Sequence, residues 1–161
     1  MDVESAAQAA RARLAALPRP LGFVPTMGAL HSGHLQLVRA AVERCRSVAA
    51  SVFVNPMQFA AGEDFDRYPR DYAGDREKLA AAGVDLLFAP QTETMYPSGF
   101  STIVDVGDLG SAYEGAARPT HFRGVTTVVS KLLNIIRPDA LFLGQKDAQQ
   151  TAVLRKLVRD L

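Results

Sequence analysis

Two imidazoles, His31 and His34, stand three residues apart in a loop that also holds Gly28 and Gly33 and runs directly into a helical pattern. Glycine lets a phosphate approach the backbone, and the first turn of a helix offers it unpaired N–H groups and a partial positive charge. Two imidazoles at such a place add donors to the same phosphate chain. The plainer alternative is that one histidine caps the helix while the other packs or faces solvent. A metal pair is a second alternative, but no third Cys, His or carboxylate lies close by in sequence. Further on, Lys146 and Asp147 follow an apolar run in the turn Gly144-Gln145-Lys146-Asp147. Lysine there is a compact charge for phosphate, and Asp147 can accept from a ribose hydroxyl or cap the next helix; both also fit an ordinary turn.

These residues need elements to hold them. Residues 4–17 are Ala-rich and read as a helix stopped by Pro18 and Pro20. Residues 21–24 read as a strand, residues 34–46 carry Leu35, Val38, Ala41 and Val42 at helical spacing, and residues 48–54 are too β-branched and apolar for anything but a buried strand. The alternation continues with a helix over 72–82 ended by Gly83, a strand over 85–89, a helix over 124–136 with Thr120 available as a cap upstream, a strand over 140–143 and a final amphipathic helix from Ala148. Between Pro90 and Pro119 the pattern weakens, and residues 101–106 read as an edge strand within a lid-like excursion. Strands alternating with helices predict an α/β fold: a Rossmann-like, doubly wound parallel sheet with helices on both faces. Ligands then belong at the carboxyl ends of the strands, where the loops PTMGALHSGH, NPMQF and GQKDAQQ fall.

A chain of 161 residues, 48% of them hydrophobic, buries about 70% of its unfolded surface, enough for one core and one domain over 1–161. A net charge of +1 provides no global field to hold nucleic acid or a membrane surface, so any anion must be bound locally. The single Cys45 excludes an internal disulfide framework, and the start is neither basic nor followed by an apolar signal core, which points to the cytoplasm.

The loop PTMGALHSGHL resembles the HxGH signature of nucleotidyltransferases and class I aminoacyl-tRNA synthetases, whose members transfer an adenylyl group from ATP. With NPMQF, Tyr68-Pro69-Arg70, RPTHFRGV at 118–125 and GQKDAQQ at 144–150, the chain is similar to the pantothenate synthetases from Leu21 onward. The resemblance implies an ATP site of Met27, Gly28, Ala29, Leu30, His31, Ser32, Gly33, His34, Gly144, Gln145, Lys146 and Asp147, with His34, His31 and Lys146 as catalytic groups. It implies a pantoate site of Pro25, Met27, Gln58, Val129 and Gln150, with Gln58 also close to β-alanine, and Asp75 near the magnesium and phosphates. Two neutral amides bond hydroxyl and carboxylate groups without a salt bridge, and apolar walls suit a gem-dimethyl carbon. Asp75 also fits a first-turn helix acid. His121 and Arg123 match signature positions and serve either as anchors or as substrate contacts. The family usually has Glu at the position of Gln145 and an aromatic residue at that of Ala148.

The implied reaction is the ATP-dependent condensation of pantoate with β-alanine through a pantoyl adenylate, with Mg2+ accompanying ATP as cosubstrate and no tightly bound cofactor. Family members continue beyond the position of Leu161 through a Ser-Ser-Arg-Asn segment into a smaller lid domain, and at full length are generally homodimers. The expectation is that this chain binds substrates but turns over slowly. Two rival readings are an adenylyltransferase for another small acid and a nucleotide-binding module without turnover.

Overall fold

The computed structural model describes residues 1–60, 63, 65–145 and 148–161. Five parallel strands form one sheet in the order β1-β4-β3-β2-β5, from β1 (Asp2–Glu4), β2 (Leu21–Thr26), β3 (Ser47–Val52), β4 (Leu86–Phe88) and β5 (Ala140–Leu141). Alternate residues of each strand face opposite sides. Leu21 and Phe23 of β2, Ala49 of β3 and Leu86 and Phe88 of β4 enter one core with α1 (Ala7–Ala15), α6 (His121–Ile136) and α7 (Ala148–Asp160). Val24, Val48, Ala50 and Leu87 enter the other, against α2 (Ser32–Arg44) and α3 (Tyr72–Ala81). Helices therefore cover both faces, as the alternating pattern predicts.

After β2 the chain winds outward through β3 and β4 and then returns to the opposite side of β2 to form β5. This reversal opens a crevice between the carboxyl ends of β2 and β5. β5 registers with Gly22 and Phe23 of β2 alone, so the pairing ends before Pro25. Pro25, which has no N–H to contribute, lies beyond those pairs and still registers with Ser51 of β3 on its other side.

The boundaries depart from expectation at several places, β5 being paired only over Ala140–Leu141 of the expected 140–143. Residues 2–4 form an edge strand not expected from the sequence, Glu4 belonging to it instead of opening the first helix, and Arg13 of α1 pairs with both Asp2 and Glu4 at 3.0 and 3.2 Å. Residues 101–106 are not a strand. Their backbone bonds to α6 instead, the Val104 N–H donating to Thr127 Oγ1 at 3.0 Å and the Val104 carbonyl accepting from Thr126 Oγ1. The rest of this excursion holds two single-turn α-helices, α4 (Thr92–Met95) and α5 (Glu114–Ala117), and a 3-10 turn at Gly107–Gly110. Lastly, α6 begins at His121, three residues before its apolar run, and Thr120 makes no side-chain cap.

Candidate active site

The loop leaving β2 turns through two successive left-handed residues, Gly28 at φ 85° and Ala29 at φ 52°. A side chain at position 28 would put its Cβ 2.9 Å from Asp75 Oδ2, so glycine is required by space as well as by conformation. The Gly28 N–H donates to Thr26 Oγ1 at 3.2 Å. Those of Ala29 and Leu30 donate to the Asp75 carboxylate at 2.7 and 2.8 Å. These three amides are therefore taken up within the protein, and the helix N-terminus singled out by sequence lies farther along, at the start of α2.

There the helix carries a reciprocal cap. His31 takes the N-cap position, its Nδ1 accepting from the Gly33 N–H at 3.1 Å, while His34 Nδ1 accepts from the His31 N–H at 3.4 Å. A ring nitrogen that accepts from an amide carries no proton, so in each neutral imidazole the proton sits on Nε2. Both rings thus keep an outward donor, 4.2 Å apart by centroid. Capping takes Nδ1 of each ring, so the capping role weighed by sequence does not use the Nε2 that a ligand would need. Burial holds the His34 pKa below its usual value, the neighbouring His31 adds to the depression, and Asp75 opposes it. The neutral donor form therefore prevails near pH 7.

His34 faces a cavity of about 200 Å³ whose lining includes Pro25, Met27, Gln58, Val129 and Gln150. These residues come from β2, the loop after β3, α6 and α7, so distant motifs meet at the crevice where the sheet reverses. Gln58 is 8% exposed and its amide is oriented from both ends: Oε1 accepts from Asn55 Nδ2 at 3.2 Å and Nε2 donates to Met27 Sδ at 2.8 Å. Asn55 is 1% exposed, donates also to the Gly124 carbonyl at 3.0 Å, and accepts from the Tyr96 hydroxyl at 2.7 Å. Burial raises the Tyr96 pKa, keeping that hydroxyl a donor.

The backbone of Gln58 is gripped as firmly. Its carbonyl accepts from Arg118 Nη2 at 3.2 Å and lies 3.0 Å from the ring Nδ1 of the buried His121. Arg118 also forms a two-point pair with Glu63 at 2.7 Å, which, together with the Ala60 N–H, holds the Glu63 carboxyl down at about 2. His121 is thus an anchor, the first of the two roles open to it by sequence. Arg123 pairs with Asp105 at 2.6 Å outside the cavity lining. Gly124 packs so closely that a Cβ there would stand 2.3 Å from the Met57 carbonyl oxygen.

Several contributors have no role assigned by sequence. Asn55 and Tyr68 line the cavity, and the Tyr68 hydroxyl has its pKa raised by burial and by Asp75. An Asn leaving a buried strand just before Pro56-Met57 was the available signal for the first. Gly144 and Gln145 follow β5, the Gly144 carbonyl accepting from Thr151 Oγ1 at 3.2 Å and its Cα facing Leu37 of α2. Ser32 opens α2 and is exposed. Lys146 and Asp147 lie outside the described residues. Asp75, expected beside magnesium, is 1% exposed with both oxygens engaged, and among the described residues no group of three or more His, Cys, Asp or Glu is arranged to hold a metal ion.

A parallel, Rossmann-like α/β domain with two imidazoles capping a helix beside a crevice lined by amides and apolar side chains places the chain in the class of HxGH-motif α/β folds. The family model described as pantoate-beta-alanine ligase matches residues 2–161, and the chain belongs to that family. It is 58% identical over 159 residues to a pantothenate synthetase of Chloroflexus aggregans, covering 99% of this chain and 57% of the relative. Against one from Heliobacterium modesticaldum the identity is 59% over 143 residues, 89% of this chain and 51% of the relative. The crystal structure of pantothenate synthetase from Thermus thermophilus superposes with a TM-score of 0.94 at 54% identity, over 99% of this chain and 58% of that one. The Francisella tularensis pantoate-beta-alanine ligase, solved with beta-gamma ATP and beta-alanine, gives 0.95 at 39% identity over 99% and 62%. The chain spans about half the length of the curated relatives it matches. No helix among the described residues is long and apolar enough to cross a membrane.

Proposed function

We propose that this chain supplies the ATP and pantoate sites of a ligase that condenses pantoate with β-alanine. Pantoate occupies the cavity, its hydroxyl and carboxylate groups bonded by Gln58 and Gln150 and its dimethyl carbon against Pro25, Met27 and Val129. ATP lies along the start of α2, with His31 and His34 donating from Nε2 to its phosphates and Lys146 supplying a further positive charge to them. The pantoate carboxylate attacks the α-phosphorus, pyrophosphate leaves, and the pantoyl adenylate forms. The amine of β-alanine, bound beside Gln58, then attacks the activated carbonyl and expels AMP. No side chain forms a covalent intermediate, so the protein's contribution is positioning and stabilisation of charge on the phosphoryl oxygens.

Magnesium would travel on the phosphates of ATP, the usual manner for a cation that keeps its waters and substrate oxygens, and would neutralise charge there. A cytoplasmic location and a homodimeric full-length assembly complete the proposal. The observation that carries it is the convergence of His34, Gln58 and Gln150, from three separate motifs, on one cavity. Calorimetric titration of the chain with pantoate and with ATP tests it. Binding of both is expected; ATP binding without pantoate would favour an adenylyltransferase for another acid, and binding of neither an interaction module.

A further inference from the structure

The amides between β2 and α2 are committed one after another. Gly28 donates to Thr26, Ala29 and Leu30 to Asp75, His31 to His34, and Gly33 to His31. The hinge of this series is a side chain from another element: Asp75 reaches from the first turn of α3 and spans the two bonds that no local group supplies. We propose that Asp75 is a positioning residue, a buried carboxylate that staples the left-handed turn so that the start of α2 presents the two imidazole donors to ATP. The proposal rests on the reading of this site as the ATP site.

The geometry requires a carboxylate specifically. Each oxygen accepts from one amide, at 2.7 and 2.8 Å, and an isosteric Asn would set its own N–H₂ against one of them. Ala29 holds φ 52°, a conformation disfavoured for a residue with a Cβ, so the turn needs an external hold. Lys78 completes the arrangement: its Nζ lies 3.8 Å from Asp75 Oδ1 and donates to the Leu30 carbonyl at 3.2 Å, tying the same loop by its other backbone group. The carboxylate is 1% exposed and each of its oxygens already accepts from a loop amide, so stapling is its observed engagement and ligation of magnesium is the rival to be tested.

Two measurements on the 161-residue chain separate them. In the unaltered protein, through-hydrogen-bond NMR couplings should connect the Ala29 and Leu30 amide nitrogens to the Asp75 carboxyl carbon; their absence in a spectrum that shows the strand couplings would overturn the proposal. This arm needs neither a variant nor a ligand, so it stands even if ATP fails to bind and the ligase reading falls. In Asp75→Asn, the affinity for ATP should drop by about tenfold or more, the size of one lost charge-assisted bond, equally at low and at saturating magnesium. Pantoate affinity should stay within about threefold, a difference below about 1 kcal/mol. Recovery of ATP affinity as magnesium is raised would assign Asp75 to the metal and refute the staple, as would an unchanged ATP affinity.

Discussion

Replacing Gly124 by Ala tests how Gln58 is held. The added Cβ would lie 2.3 Å from the Met57 carbonyl oxygen, 2.4 Å from its carbon and 2.6 Å from the Gln58 Cα. All three are backbone atoms, so no rotamer change relieves the contact; α6 and the turn at Pro56–Gln58 must separate by about 1 Å to restore van der Waals distance, an overpacking that costs about 1–3 kcal/mol. The separation also stretches the Asn55 bond to the Gly124 carbonyl and the grip of Arg118 and His121 on the Gln58 carbonyl. A Gln58 amide displaced by about 1 Å loses its hydrogen-bond geometry to the bound acid, so pantoate affinity should fall by about 1–3 kcal/mol, roughly tenfold to a hundredfold. ATP affinity should hold, because the loop before α2 is anchored through Asp75 on the other side of the sheet. Thermal melting should drop by a few degrees, at about 2–4 °C per kcal/mol for a domain of this size. Calorimetry with each ligand reads the split. Unchanged pantoate affinity and melting temperature would refute the reasoning.

Other outcomes are expected from the same geometry. Gln58→Ala and Gln150→Ala should each weaken pantoate by about 1–3 kcal/mol while sparing ATP, and equal losses for both ligands in calorimetry would indicate general loop damage instead. Protonating His34 fills the Nδ1 position that accepts from His31. Because burial and His31 lower its pKa below 6.5, the stability of the capped neutral ring is complete above that value and is lost as pH falls through the folded-state pKa. NMR titration should find the His34 ring changing below the ordinary histidine range, and His31→Ala, by removing the like charge, should move it upward. Under saturating substrates, the 161-residue chain should form pantothenate far more slowly than the same chain prolonged to the length of its relatives, since a lid excludes water and adds donors late in the reaction. Comparable turnover by the two would contradict that account.

Much of this was legible from periodicity. The helical spacing of Leu35, Val38, Ala41 and Val42 and the apolar run around Val48 and Ala50 announce α2 and β3 because burial imposes those patterns over many residues. β1 escaped because three residues carry no measurable period, and its pairing depends on β4, far along the chain. Residues 101–106 look like a strand because Thr102, Ile103, Val104 and Val106 are β-branched, but α6 offers hydroxyls at Thr126 and Thr127 that meet their backbone first. Within the site, the resemblance carried by the motifs named Pro25, Met27, His34, Gln58, Val129 and Gln150, which line one cavity together with residues to which it assigned no role, Asn55 and Tyr68 among them. It could not reveal that the loop amides are answered by Asp75, or that Asn55 and His121 serve Gln58, because those links are long-range hydrogen bonds between side chains and backbone with no spacing signature.

The central claim, that the capped imidazoles act on ATP while the cavity holds the acid to be activated, is tested most directly by pyrophosphate–ATP exchange in this chain prolonged to the length of its relatives. Exchange should depend on added pantoate, proceed without β-alanine, and fall by about a hundredfold or more in His34→Ala, the loss expected for one preorganised donor to transition-state charge. Exchange that ignores pantoate, or that survives the loss of His34, would contradict the account.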